Sequence, residues 1–180
     1  MSGIAGLVLA AGAGSRYGQP KAPVVLDGER LVDRAVRLLR EVGCDPVVVV
    51  LGAWVGDVPD AEVALNADWA EGMGSSLRVG LTALEHRTEV ERVAITLVDL
   101  PGLTADAVRR VVACPDDIVI ATYEGERGHP VLFTRKHWNG IREHAQGDQG
   151  ARGFLRERTD ITLVEVGDIA RGYDLDEPIE

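Results

Sequence analysis

The sequence has few aromatic residues, few cysteines and no excess of basic residues, and each shortage excludes a class of protein. Two Phe, three Trp and three Tyr in 180 residues leave little material for the stacking surfaces that bind single-stranded nucleic acid. Lys and Arg number 19 against 29 acidic residues, so the net charge of −10 argues against a groove for polyanions. The only cysteines, Cys44 and Cys114, lack metal-ligand or disulfide-scaffold spacing, and we predict reduced thiols in a cytoplasmic protein.

A membrane-spanning or secretory segment is also not expected at the start of the chain. The uncharged stretch 1–15 is shorter than the roughly 20 apolar residues that cross a bilayer. It also lacks the basic n-region that is typical of a signal peptide. Hydrophobic residues make up 46% of the chain, enough to build a core. We therefore expect one domain spanning residues 1–180, with no membrane partner.

Apolar runs of strand length alternate with helical patterns over most of the chain. The patterns predict strands at 4–10, 46–51, 92–98 and 117–122, helices at 31–42, 75–85 and 104–112, and shorter strands at 131–133 and 161–166. Residues 124–130, polar and rich in glycine, interrupt this regular alternation. Alternating strands and helices predict the α/β class, with a Rossmann-like, doubly wound and mostly parallel sheet. Ligands in such sheets bind beyond the carboxyl ends of the strands.

The segment LAAGAGSRYGQPK (9–21) follows the first predicted strand directly. Its small residues would let backbone N–H groups approach a phosphate, and Arg16 and Lys21 add positive charge. A dinucleotide fingerprint would need glycine where Tyr17 stands, and a Walker A loop would need Gly before the lysine, where Pro20 stands. Two interpretations are left: a different kind of loop for a mononucleoside triphosphate, and an ordinary tight turn with charged residues at the surface.

Carboxylates are placed where they could hold the cation that a triphosphate requires. Magnesium prefers one or two carboxylates together with phosphate oxygens and water. Asp99 follows a predicted central strand, and Asp174 and Asp176 alternate in a short extended segment, which puts both on one face. A turn aspartate and a solvated acidic tail are the alternative interpretations of these residues.

Taken together, the motifs resemble those of the nucleotidyltransferases of molybdenum cofactor maturation, in particular the cytidylyltransferase branch. The resemblance is carried, in order, by LAAGAGSRYGQPK, NADWAEGMGSSLRVGL (66–81), LVDLPGLTADAV (97–108), GHPVLF (128–133), GDQGAR (147–152) and DLDEP. It implies a fold of the nucleotide-diphospho-sugar transferase type. It also implies an enzyme that transfers a nucleoside monophosphate to a pterin phosphate with Mg²⁺ and releases pyrophosphate.

The resemblance further implies roles for individual residues. Arg16, Lys21 and Asp99 would be catalytic, His129 and Arg78 would bind the acceptor, and Asp99 and Asp176 would bind the metal, with Asp174 as the alternative second ligand. The nucleotide-binding residues it implies are Leu9, Ala10, Ala11, Gly12, Gly14, Arg16, Lys21, Gly74, Ser75 and Ser76.

The donor nucleotide and the partners also follow from the resemblance. Relatives that use GTP typically carry LAGG, and Leu9-Ala10-Ala11-Gly12 is similar to the CTP-using branch, so CTP is the expected donor and GTP the alternative. The acceptor would be of the molybdopterin type, and a hydroxylase-type molybdoenzyme would receive the product. Two other functions stay open: transfer to a sugar or polyol phosphate, and a non-catalytic nucleotide-binding escort of a molybdoenzyme.

Overall fold

A seven-stranded sheet forms the centre of the protein in the computed structural model, which describes residues 3–179. The sheet order is β5-β4-β1-β6-β8-β7-β9. The strands of this sheet and of a small hairpin are β1 (Gly3–Leu9), β2 (Val25–Leu26), β3 (Glu29–Arg30), β4 (Val47–Leu51), β5 (Glu62–Leu65), β6 (Val90–Leu97), β7 (Ile118–Tyr123), β8 (Glu126–Thr134) and β9 (Thr162–Glu165). The mostly parallel α/β fold expected from the sequence is thereby confirmed.

Five helices cover the two faces of the sheet. They are α1 (Leu31–Glu41), α2 (Met73–Ala83), α3 (Ala105–Ala113), α4 (Trp138–His144) and α5 (Arg152–Leu155). Side chains of β4 alternate between the two cores: Val49 packs with α1 and α3, whereas Val48 and Val50 pack with α2 and α4. Because both faces are buried, every residue of β4 is apolar and buried, as is typical of a central parallel strand.

The structure departs from the predicted elements in several places, including the unpredicted hairpin β2–β3 and the short helix α5. The polar residues before position 131 belong to β8, which begins at Glu126 and runs antiparallel to both β6 and β7. Their polarity reflects solvent exposure, since the first part of this strand lies open to water. Helix α2 begins at Met73 rather than Ser75, and the strand β5, exposed along the sheet edge, was not predicted.

Within residues 3–179, no helix is both long and apolar enough to cross a membrane. The parallel strands β4, β1 and β6 end at the same edge of the sheet. The loop 10–24 follows β1 there, and residues 98–104 follow β6. The C-terminal segment returns to this edge, where the Leu175 amide donates to the Asp99 carbonyl at 2.9 Å. The loop 10–24, Asp99 and the C-terminal segment are therefore brought to one edge.

Candidate active site

The loop 10–24 is shaped to present backbone amides. Gly14 has φ of +63°, and a side chain there would collide with the Gln19 carbonyl, so only glycine allows this tight turn. The Gly18 amide donates to the Gly14 carbonyl at 2.7 Å and closes the turn. Within residues 3–179, the amides of residues 11–17 donate to no protein acceptor. A run of free amides beside a cleft is suited to binding an anion.

Lys21 lies at the centre of a group of charges. Its ammonium donates to the Asp99 carboxylate at 2.8 Å and lies 3.6 Å from the Asp176 carboxylate. The Lys21 side chain is only 12% exposed, whereas Asp176 is half exposed and also lies 3.8 Å from Arg16. Two carboxylates from distant parts of the chain thus converge on one cationic position.

The C-terminal segment is fixed in this group by Leu175. Its side chain is buried against Val24 and Leu31, and its amide bonds to the backbone of Asp99. The residues on either side of it are Asp174 and Asp176. Burial raises the pKa of Asp174, and the nearby negative charges of Asp99 and Asp176 raise it further, while Lys21 opposes them. Asp176 thus lies in the charge group around Lys21, and Asp174 lies near enough to Asp99 for the charge of Asp99 to act on it.

Two adjoining clefts open beside this group. The first, the Asp99 cleft, measures about 170 Å³ and is lined by residues of the loop, of α2 and of the end of β6: Leu9, Ala10, Gly12, Gly14, Lys21, Met73, Leu97, Val98 and Asp99. The second, the Asp148 cleft, measures about 300 Å³ and includes Ala11, Ala13, Ser15, Trp69, Gly72, Ser76 and Asp148. Leu9, Gly12 and Met73 line both clefts. An elongated ligand could therefore occupy both.

Some of the predicted site residues lie outside these clefts. Ser75 is buried, and its hydroxyl accepts from the Asn66 side-chain amide. The hydroxyl donates to the Gly72 carbonyl at 2.8 Å, with the Asp68 carbonyl also within reach at 3.1 Å. Gly74 is also buried and packs against the backbone of residues 145–146. Arg78 donates to the Ala145 carbonyl and pairs with Glu71. These three residues hold the start of α2 in place, whereas Ser76 lines the Asp148 cleft.

His129 lies near Asp99 but on a different strand, β8. Burial lowers its pKa to about 4, the charge of Asp99 opposes this shift, and Arg152 adds to it. The imidazole is therefore neutral at pH 7. The Tyr123 hydroxyl donates to the His129 carbonyl at 2.6 Å and fixes this part of the backbone. A neutral histidine can both donate and accept a hydrogen bond. His129 lines neither cleft, so its contact with the acceptor stays a prediction.

The lining residues that were not predicted individually include Trp69, Gly72, Met73 and Asp148. All four lie in motifs that carried the resemblance, NADWAEGMGSSLRVGL and GDQGAR. The signal for them was therefore present at the level of motifs. Their roles depend on the packing of residues 147–149 against α2, which spacing along the sequence does not reveal.

The mostly parallel sheet, the glycine loop with free amides and the Lys21–Asp99 pair at its carboxyl edge define a nucleotide-binding α/β protein. Residues 6–162 match the MobA-like NTP transferase domain. The chain belongs to this nucleotidyltransferase family, as the resemblance had implied.

Relatives of this chain carry different names. The chain is 33% identical to the nicotine blue oxidoreductase of Paenarthrobacter nicotinovorans, over 96% of this chain and 92% of that protein. It is 24% identical to the molybdenum cofactor cytidylyltransferase of Escherichia coli, over 75% and 72% of the two chains. A molybdenum cofactor guanylyltransferase of Rhizobium johnstonii is 34% identical, over 73% and 62%. Both donor nucleotides are thus represented among the relatives.

Solved structures confirm the fold. The Mycobacterium sp. strain JC1 homologue of Rv0371c superposes with a TM-score of 0.82 at 26% identity, over 97% of this chain and 90% of that one. Rv0371c of Mycobacterium tuberculosis in complex with manganese superposes with a TM-score of 0.74 at 22% identity, over 91% and 88%.

Proposed function

We propose that the protein transfers a nucleoside monophosphate, CMP from CTP, to the terminal phosphate of a molybdopterin-type acceptor and releases pyrophosphate. The observation that carries this proposal is the convergence of Lys21, Asp99 and Asp176 beside a loop of free amides. The match to the MobA-like family and the relatives named cytidylyltransferase and guanylyltransferase support it. The LAAG sequence of the loop is the reason for choosing CTP over GTP.

The donor set fits a divalent cation. Carboxylate oxygens are the ligands that Mg²⁺ and Mn²⁺ prefer, and the Lys21 ammonium already marks a position between Asp99 and Asp176 where positive charge is stabilised. Within residues 3–179, no cluster of three or more protein ligands is present, so phosphate oxygens and water would complete the coordination. When bound, the cation would neutralise charge on the transferring phosphate.

The residues of the chain would act by binding and orientation. The free amides of the loop, with Lys21 and Arg16, would hold the β- and γ-phosphates and stabilise the charge that develops on the leaving pyrophosphate. An oxygen of the acceptor phosphate would attack the α-phosphorus, and the bond between this phosphorus and the α–β bridging oxygen would break. Because a phosphate acceptor is already ionised at neutral pH, no general base is needed. The remaining task is alignment of the two substrates.

Pyrophosphate release by the purified protein tests this proposal. CTP, GTP, ATP and UTP would be compared with Mg²⁺ and a molybdopterin-type acceptor, with a sugar phosphate as a second acceptor. We expect release with CTP and the pterin acceptor. If pyrophosphate is released only with the sugar phosphate, the acceptor is a sugar or polyol phosphate rather than a pterin. Binding of CTP without release under any condition would favour the escort role.

A redox activity is the second candidate, because the relative from Paenarthrobacter nicotinovorans, similar over nearly the whole chain, is named an oxidoreductase. Within residues 3–179 both cysteines are free, and burial raises the pKa of Cys44 to about 12, so its thiol stays protonated and unreactive. For this candidate we take the electron donor to be a reduced nicotinamide nucleotide from solution. Oxidation of NADH or NADPH by a dye acceptor, dependent on this protein, would support the second candidate.

A further inference from the structure

The Asp148 cleft contains one charged side chain, that of Asp148. Within residues 3–179, this carboxylate has no ion-pair partner and no hydrogen-bond partner among the side-chain contacts. The other lining residues are apolar, glycine or serine. An ionised carboxylate only accepts hydrogen bonds, so a ligand filling this cleft satisfies it by offering a donor.

The position of Asp148 is built into the fold. Residues 147–149 form a single 3₁₀ turn that packs against the start of α2. Gly72, the residue before α2, has φ of +110°, and a side chain there would collide with the Asp148 carboxylate and lie 2.6 Å from the Gly147 carbonyl. Glycine at position 72 thus permits the close approach that brings Asp148 to the cleft.

The two clefts differ in the charges of their lining residues. The Asp99 cleft holds the charged groups suited to phosphates, and the Asp148 cleft adjoins it, sharing the lining residues Leu9, Gly12 and Met73. A triphosphate bound at Lys21 would therefore extend its nucleoside into the Asp148 cleft. Ala11, Ala13 and Trp69 are among its lining residues. An aromatic residue together with small apolar residues suits a planar base.

We propose that Asp148 accepts a hydrogen bond from the nucleoside of the bound nucleotide and thereby determines which nucleotides bind. The donor is the exocyclic amino group of the base or a ribose hydroxyl. Asp148 is exposed, so either donor gives selection through the hydrogen bond that it adds to a charged group and that a nucleotide without the donor cannot make. The inference rests on the proposed function only in placing the phosphates at Lys21.

Calorimetric titration of the whole protein with nucleotide and Mg²⁺ tests the inference separately from catalysis. CTP, UTP and 2′-deoxy-CTP would be titrated into the wild type, Asp148→Asn and Asp148→Ala. Asparagine keeps an acceptor but loses the charge, so we expect CTP affinity to fall about tenfold in Asp148→Asn and further in Asp148→Ala, as for loss of a hydrogen bond to a charged group. Glu143→Gln is the matched control, because Glu143 is an exposed carboxylate on α4.

The nucleotide series identifies the donor. If the wild type prefers CTP to UTP and the variants lose that preference, Asp148 contacts the base amino group. If the lost preference is CTP over 2′-deoxy-CTP, it contacts the ribose. CTP binding by the wild type that stays within twofold in both variants would overturn the inference, as would a wild type that binds no nucleotide. Normal binding selectivity without pyrophosphate release would overturn the proposed function alone.

Discussion

Two carboxylates at the same edge of the sheet, Glu165 and Asp99, have opposite environments. Glu165 ends β9, and its oxygens accept from the Thr122 hydroxyl at 2.8 Å and from three backbone amides, those of Glu124, Gly125 and Gly167. These contacts lower its pKa to about 2. Asp99 lies two residues beyond β6, and within the described chain its carboxylate accepts from one side chain, that of Lys21.

The difference shows that position at the carboxyl edge does not by itself make a catalytic carboxylate. The partners of Glu165 are mostly backbone amides that cannot move without unfolding the turn 124–125. The charge of Glu165 therefore stabilises this turn. The partner of Asp99 is an ammonium at the end of a long side chain, which can turn toward a phosphate when a ligand arrives. Asp99 is therefore available for chemistry and Glu165 is not.

Replacing Asp99 should have the largest effect on activity. We expect Asp99→Asn to lower the rate of pyrophosphate release by about 10²- to 10³-fold, the usual loss when a group stabilising transition-state charge is removed. Its melting temperature should stay near that of the wild type, because Asp176 still neutralises Lys21. Glu165→Gln, measured in parallel, should retain activity within a few-fold. Comparable activity losses in the two variants would contradict the different roles assigned to Asp99 and Glu165.

Lys21 should be nearly as important, and the chain supplies its control in Lys136. Lys136 pairs with Asp117 on the surface, whereas the nearly buried Lys21 faces the Asp99 cleft. We expect Lys21→Ala to reduce kcat/KM for the nucleotide by about 10²-fold and Lys136→Ala to leave it unchanged. Steady-state kinetics at saturating Mg²⁺ would measure both variants. A Lys21→Ala variant with normal activity would show that Lys21 does not bind the triphosphate.

Local sequence signals predicted the parts of this site that depend on single elements. The apolar run before the loop gave β1, the run before Asp99 gave β6, and Thr104 caps α3 as expected, accepting from the Ala107 amide at 3.2 Å. The alternation of Asp174 and Asp176 around an apolar residue also suggested that both face one way. In each case residues close in sequence determine the geometry.

The parts that depend on distant packing were not predictable in the same way. Ser75 looked like a ligand-binding hydroxyl, but the buried Asn66 amide bonds to it at 2.8 Å across nine residues of chain. Asp148 and Gly72 come together only because residues 147–149 fold back onto α2. Polar residues 126–130 belong to a strand because β8 pairs with β7 beyond the buried part of the sheet. Polarity along the sequence cannot distinguish such a strand from a loop.

Leu175 connects the acidic C-terminal segment to Asp99, and removing it should weaken metal use without removing a ligand. We expect Leu175→Ala to raise the Mg²⁺ concentration for half-maximal activity about tenfold, the lower range for loss of a group that orients metal ligands. The rate at saturating Mg²⁺ should recover. Ile179→Ala is the control, because Ile179 lies in the same segment and is 62% exposed. An unchanged Mg²⁺ requirement would show that Asp174 and Asp176 are not needed beside Asp99.

Replacing Glu165 should have the smallest effect on activity and the clearest effect on stability. Its pKa is lowered from the ordinary value of 4.5 to about 2 in the folded protein, so the unfolded chain binds more protons between these values. The stabilisation is thus fully present above pH 4.5 and is lost as the pH falls toward 2. We expect Glu165→Gln to unfold at lower urea concentration than the wild type at pH 7, with the difference shrinking between pH 4.5 and 2. A difference independent of pH would mean that the hydrogen bonds, rather than the charge, stabilise the turn that joins β7 to β8.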